Sequence, residues 1–120
     1  MQHFNKLQIW QRSHKLVLAL YRTTRSFPND ERFGLTSQFR RAALSVPTNI
    51  AEGSRKAAPK DYARFLNIAE GSLGETEYLV MLSRDLNYVP PESASTLLAE
   101  IKELSSMLHG LRKTIQKDAL

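Results

Sequence analysis

The feature that most constrains the fold is a narrow stripe of apolar residues near the end of the chain. Its members recur every three or four positions: Leu97, Ile101, Leu104, Leu108, Leu111 and Ile115. This spacing puts them on one side of an α-helix and leaves the charged Lys102, Glu103 and Lys113 outside the stripe. Such a seam is typical of a helix in a bundle. The pattern predicts a helix from about Glu92 to Gln116.

Three earlier stretches also have helical spacing, and turns that contain proline or glycine separate them. The predicted helices run from about Lys6 to Ser26, from about Leu35 to Lys56, and from Pro59 to about Asn87. No stretch alternates apolar and polar residues as a strand does. The sequence therefore predicts one all-α domain over residues 1–120, an antiparallel up-down-up-down four-helix bundle with short loops.

Two local signals add detail to the first two helices. Asn5 and Gln8 have the spacing of an N-cap residue and its N3 partner, which places a helix start at Asn5. Pro47 lies inside the second helix, where it lacks the N–H for one backbone hydrogen bond. It predicts a kink or break near residues 43–46.

The first and third helices have unusually wide apolar arcs, of about 200° each on a helical wheel of about 100° per residue. A helix at the edge of a monomeric bundle needs only about half of that. In the third helix, Gly71 and Gly74 make the middle narrow, which permits close contact with another helix. We therefore expect both helices to be covered on two sides.

Composition excludes several classes of protein. The chain has no cysteine, which removes disulfides, thiol nucleophiles and cysteine-bound metals. The longest apolar run, Leu16–Tyr21, is far shorter than the roughly 20 residues of a membrane span. The first residues lack the apolar stretch of a secretory signal. The expected location is the cytoplasm, without membrane association.

The residues also argue against an enzyme. None of the three histidines has Asp, Glu or His three or four positions away, so no helical metal site is predicted, and no cofactor is expected. His14 is expected to be a core or boundary residue. Gly71–Gly74 lies within a helix and lacks the Gly-Lys-Ser/Thr of a phosphate loop. An enzyme that uses Glu52 and Glu75 as an acid and base pair is the weakest interpretation.

The preferred interpretation of these carboxylates is structural. Glu75 falls within the apolar arc of the third helix, where a charge must find a partner or lose its proton. Its candidate partners are on the second helix and on its own. The predicted polar network, which fixes helix register or a subunit contact, comprises Arg41, Asn49, Glu52, Ser72 and Glu75.

The strongest functional signal is the distribution of charge. Residues 1–60 contain 11 Lys/Arg and 3 Asp/Glu (net +8), whereas residues 61–120 contain 6 and 9 (net −3). Phosphate binding requires clustered cations rather than a motif. No motif for reading bases is present. The candidate nucleic-acid-binding residues are Arg12, Lys15, Arg22, Arg25, Arg40, Arg41, Arg55, Lys56 and Lys60.

Several segments together resemble a known family. They include Leu7, Trp10 and Tyr21 in the first helix, Phe27-Pro28 and Gly34-Leu35 around the loop, Arg40-Arg41-Ala42-Ala43 and Asn49–Gly53 in the second, and Phe65-Leu66, Gly71-Ser72 and Glu75 in the third. With these residues the chain resembles the four-helix-bundle proteins encoded in intervening sequences of bacterial 23S ribosomal RNA genes. That family also includes relatives of the accessory protein of diversity-generating retroelements.

The resemblance implies a homopentamer with a basic surface, and it implies nucleic acid and a reverse transcriptase or a ribosomal component as partners. We therefore expect a non-enzymatic, oligomeric protein that binds nucleic acid with low sequence specificity, RNA being favoured over DNA. The alternative is a scaffold whose basic surface docks a polymerase or another acidic protein without binding nucleic acid directly.

Overall fold

Residues 3–119 form four α-helices in the computed structural model, which describes this part of the chain. The helices are α1 (Gln8–Thr24), α2 (Leu35–Ser54), α3 (Pro59–Asp85) and α4 (Pro91–Asp118). One 3₁₀ turn precedes α1 and another precedes α2. The described residues contain no strand. The predicted all-α four-helix architecture is confirmed.

Consecutive helices run in opposite directions. Arg40, near the start of α2, lies against Tyr21, near the end of α1. At the other end of the bundle, Gly53 in the last turn of α2 packs against Tyr62 in the first turn of α3. Short connections between antiparallel neighbours produce the up-down-up-down order.

The core lies along the axis of the bundle and receives side chains from all four helices. Leu20, Phe39, Ile50, Leu66 and Leu104 are completely buried. Burying a side chain of this size contributes about 1.5–3 kcal/mol relative to leaving it in water. The α4 stripe behaves as its spacing predicts, since its first four members are buried and the last two pack partly against the core.

Proline and local backbone geometry set the helix ends. Pro59 is the first residue of α3 and Pro91 is the first residue of α4, where a missing N–H costs no helical hydrogen bond. Asn87 has a φ of 64°, and the next N–H, of Tyr88, donates to the Ser83 carbonyl at 2.8 Å. A left-handed residue followed by this bond is a common way to end a helix.

Two predictions about α1 and α2 are wrong. Asn5 does not cap α1, because it lies in the 3₁₀ turn Phe4–Lys6 and α1 begins only at Gln8. Pro47 does not break α2, which continues as one helix from Leu35 to Ser54, so the predicted break is wrong and the kink stays a prediction. Pro47 is itself buried in that helix, so packing outweighs the loss of a single backbone hydrogen bond.

Close helix contact within the chain occurs at Gly53 of α2 rather than at Gly71 and Gly74 of α3. A Cβ on Gly53 would lie 2.9 Å from the Phe65 Cβ and 3.0 Å from the Tyr62 Cδ1, so α2 and α3 meet there at glycine distance. A Cβ on Gly71 or Gly74 would meet nothing within 4 Å. Within one chain, therefore, only Gly53 among these three glycines is required by helix packing.

No helix within residues 3–119 combines the length and the apolar character that a membrane span requires.

Candidate nucleic-acid interface

Seven of the nine predicted phosphate-binding cations are exposed around α1, α2 and the turn after α2. Two lie on α1, one directly follows it, one lies on α2, and three lie between the end of α2 and the first turn of α3: Lys15, Arg22, Arg25, Arg41, Arg55, Lys56 and Lys60. In the described part of the chain, none of the seven forms an ion pair with a carboxylate. Their charge is therefore free to interact with an anion from outside. We call these seven residues the basic surface.

Arg12 is held by carboxylates instead, and we leave it out of the basic surface. Its Nε and Nη2 donate to the two oxygens of Glu100 at 2.9 and 2.8 Å, and its Nη1 donates to Glu103 at 2.9 Å. Hydrogen bonds to Glu100 and Glu103 raise the pKa of Arg12, and the bond from Arg12 lowers the pKa of Glu103. Arg12 therefore joins α1 to α4. The two neighbouring carboxylates offset its positive charge, which weakens its attraction for a phosphate.

Arg40 also has contacts within the chain. Its guanidinium lies 4.6 Å from the centre of the Tyr21 ring, and its Nε donates to the Thr24 hydroxyl at 2.7 Å. The residue is half-buried between α1 and α2. A cation on an aromatic face at this distance stabilises the pairing of the two helices. We therefore leave Arg40 out of the basic surface.

An open groove of about 430 Å³ lies between α1 and α2. The Trp10 and His14 rings line it and stack on each other, with their centres 5.1 Å apart and their planes 6° from parallel. The Phe4 ring meets Trp10 edge-on at 5.0 Å. Leu44, which is 46% exposed, lies on the α2 side. The groove therefore presents aromatic and aliphatic surface between charged helices.

His14 is not the core or boundary residue that we expected, because its side chain is exposed. His14 lies on the apolar arc of α1, as the helical spacing predicts. The bundle covers only part of this arc, and His14 lies on the part that stays uncovered. Residues four apart on a helix are neighbours. The sequence signal for the stack was therefore the i, i+4 spacing of Trp10 and His14. From the sequence we used this spacing only to place His14 in the core or at its boundary.

A second aromatic and cationic cluster lies where α2 connects to α3. The Lys56 Nζ lies 5.2 Å from the centre of the Phe65 ring, and the Arg64 guanidinium lies 4.6 Å from it. Arg64 is exposed and was absent from the predicted set. Its signal was its position next to an aromatic residue at the end of the bundle that also carries Lys56 and Lys60.

The predicted polar network is divided in two. Asn49 donates to the Ser45 hydroxyl at 2.9 Å, and the Ser72 hydroxyl donates to the same oxygen at 2.8 Å, which links α2 to α3. Separately, Gln38 donates to Glu75 at 3.3 Å. Glu75 is exposed, so it needs no buried partner to remain charged.

The other two members of that network are not connected to it. Within residues 3–119, no hydrogen bond joins Arg41 or Glu52 to the remaining three residues. Arg41 lines the same α2–α3 groove as Ser72 and Glu75. Glu52 instead lines the α1–α2 groove with Trp10. The placement of Glu75 differs from the prediction because the outward part of the apolar arc of α3 is not buried in a single chain.

That outward face of α3 carries exposed apolar side chains. Tyr78 is 59% exposed, and Ile68 and Met81 are each about two-fifths exposed (42% and 40%). Gly71 and Gly74 lie among them on the same exposed face. The wide arc predicted for α3 is therefore real, but the bundle of one chain covers only one side of it.

Three or more His, Asp or Glu side chains do not come together as a metal-binding group anywhere in the described residues.

Comparison with known proteins shows what the chain is similar to. Curated protein sequences contain no match. Among solved structures, the chain resembles a protein of unknown function from the S23 ribosomal protein family of Bacteroides thetaiotaomicron VPI-5482. The two share 22% sequence identity with a TM-score of 0.79, over 88% of this chain and 98% of that one. At this identity the likeness supports the four-helix fold.

Residues 5–110 match the family described as 23S rRNA-intervening sequence protein. This range includes α1, α2, α3, most of α4 and all seven residues of the basic surface. A match over nearly the whole described chain agrees with the helix-by-helix resemblance noted in the sequence. The chain belongs to the 23S rRNA-intervening sequence protein family.

Proposed function

We propose that this protein is a non-enzymatic nucleic-acid-binding protein of low sequence specificity, and that the basic surface contacts the phosphates. The observation that carries the proposal is that seven exposed cations around α1 and α2 have no carboxylate partners in the described chain. Neutralising phosphates releases counterions and supplies most of the affinity of a protein that does not read bases. Binding should therefore weaken steeply with salt.

RNA is the favoured ligand. The family is named for intervening sequences of 23S rRNA, and this name is the reason that the proposal favours RNA. Lys and Arg contacts alone do not separate RNA from DNA, because both expose phosphates. The preference for RNA therefore depends on the family relation, and the cations support either polymer.

Self-association is the second part of the proposal, with a homopentamer favoured. The outward face of α3 supports it, because Ile68, Tyr78 and Met81 stay exposed around two glycines that would allow another backbone to approach. In a ring, each copy contributes two different faces, and the α3 face would be one of them. Several linked copies of a modest phosphate-binding surface bind more strongly than one, since the later contacts are intramolecular.

A scaffold for an acidic protein partner, such as a reverse transcriptase or a ribosomal component, is the second candidate. The observation in its favour is that apolar side chains are exposed among the cations, including Leu18 at 43% and Leu44 at 46%. A surface of this kind also suits a protein interface, where apolar contact and charge complementarity act together.

Charge reversal with a matched control tests the proposal. Lys15→Glu with Arg22→Glu changes α1 in the basic surface, and Lys102→Glu with Lys113→Glu changes exposed positions on α4. Each substitution lowers the net charge by two, so both double variants go from +5 to +1. RNA binding is measured at low salt by the anisotropy of a labelled RNA.

We expect the α1 variant to lose most of its affinity and the α4 variant to lose little. Equal losses would mean that only net charge matters, and unchanged binding in the α1 variant would remove these residues from the site. If neither wild type nor variant binds RNA, the scaffold takes precedence.

A further inference from the structure

We propose that the groove between α1 and α2 holds an unpaired nucleobase, which stacks against the Trp10 and His14 pair while Arg55 contacts a neighbouring phosphate. This inference rests on the proposed nucleic-acid binding and adds the form of the ligand, a single-stranded segment. The groove shares only Arg55 with the basic surface, and aromatic and aliphatic side chains form most of its lining.

The geometry of the two rings suits a planar ligand. Trp10 and His14 are almost parallel, and the exposed His14 ring ends the stack on the side of the chain that faces solvent. A groove of about 430 Å³ falls within the size range of small-ligand sites. Stacking one base on an aromatic side chain changes affinity by about 5- to 150-fold.

One cation of the basic surface lies at the groove. Arg55 lines the groove itself and lies 5.8 Å from the Phe4 ring centre, whereas Lys15, next to His14 in the chain, lines the separate groove between α1 and α4. Glu52 is the one acidic group that lines it. Aromatic platforms combined with a cationic path are the arrangement by which proteins bind single strands without reading sequence.

A duplex does not fit this arrangement. Its bases are stacked and paired inside the helix, so an exposed aromatic pair in a groove cannot reach a base face. The basic surface alone would bind duplex and single strand through phosphates, whereas the groove would add affinity only for the unpaired strand. We favour a nucleic acid over a second copy of the chain as the occupant of the groove. The stacked rings offer a face to a base, and Arg55 beside them offers a positive charge to a phosphate.

Trp10 is the only tryptophan of the chain, so its fluorescence reports on the groove alone. The emission is followed while an unpaired RNA of about 12 nucleotides, or a duplex of equal length, is added. We expect quenching by the single strand and little change with the duplex. His14→Ala should weaken single-strand binding about fivefold or more and leave duplex binding unchanged, with His109→Ala at an exposed position on α4 as the matched control.

Single-strand binding without quenching, or with equal affinity in His14→Ala and His109→Ala, would overturn the inference and leave the proposed function intact. A Trp10 emission that shifts with protein concentration in the absence of RNA would also overturn it, because the groove would then be occupied by a second copy. Failure of every RNA to bind, measured by anisotropy, would instead refute the proposed function.

Discussion

Replacing glycine by alanine should change stability in opposite directions at two places in the bundle. Within a helix, alanine is more favourable than glycine by about 0.8–1.0 kcal/mol. Gly71 and Gly74 have no atom within 4 Å of an added Cβ, so the double variant should gain the full amount, about 1.6–2.0 kcal/mol. An unfolding entropy of about 2.1 cal/mol/K per residue gives about 0.25 kcal/mol/K for 120 residues, hence a rise in Tm of roughly 6–8 °C.

Gly53→Ala should have the opposite sign. Its Cβ would lie 2.9 Å from the Phe65 Cβ and 3.3 Å from the Tyr62 carbonyl oxygen, neither of which is the end of a flexible side chain. Overpacking of this kind costs about 1–3 kcal/mol, which outweighs the gain in helix propensity. We expect a net loss of up to about 2 kcal/mol, or a fall in Tm of up to about 8 °C.

The assay is thermal unfolding followed by circular dichroism at a fixed, low protein concentration, because assembly makes Tm depend on concentration. Gly110→Ala on α4 is the control, since its added Cβ also meets nothing within 4 Å. If the α3 face joins copies of the chain, the gain at Gly71 and Gly74 should shrink at high protein concentration while the gain at Gly110 persists. A lower Tm for the Gly71 and Gly74 variant at low concentration, or a higher Tm for Gly53→Ala, would refute the packing argument.

Three further predictions follow from the core, the α1–α4 ion pair and the groove. Phe39→Ala, at a completely buried position, should lower the free energy of unfolding in urea by about 3–5 kcal/mol. Because Arg12 lowers the pKa of Glu103 in the folded state, their contribution is present above the ordinary carboxylate pKa and is lost as pH falls through the lowered value. Arg12→Ala should therefore be less stable than wild type at neutral pH, and the difference should shrink below about pH 4 in urea titrations. Glu52 lines the groove and its negative charge opposes a phosphate there, so Glu52→Gln should strengthen the binding of oligocytidine and oligouridine alike in competition binding.

The fold was predictable because each helix carries its own signals. The spacing of the α4 stripe, and the prolines at positions 59 and 91, determine where helices lie and begin through local physical chemistry. The prediction extended α1 by about two residues at each end. At its start the chain instead forms a 3₁₀ turn, whose backbone hydrogen bonds no residue pattern reveals. At Pro47, burial in the tertiary structure outweighed a local helix-breaking tendency.

The candidate site was less predictable, because it depends on which neighbours each side chain meets. The cationic character of Arg12 is evident in the sequence, but its partner Glu100 lies 88 residues away, and only the packing of α1 on α4 brings them together. Likewise, the apolar arc that contains Glu75 is wider than the face that one bundle can bury, so sequence periodicity could not tell which part stays exposed. His14 was placed in the core or at its boundary for the same reason, although its side chain is exposed.

Size-exclusion chromatography with light scattering, repeated with a ribosomal RNA fragment at low and high salt, tests the central claim most directly. We expect an assembly with several times the 13.7 kDa mass of one chain. This assembly should take up RNA at low salt and release it at high salt. An assembly that takes up no RNA at low salt would contradict phosphate binding by the basic surface, and a 13.7 kDa monomer would contradict assembly through the α3 face.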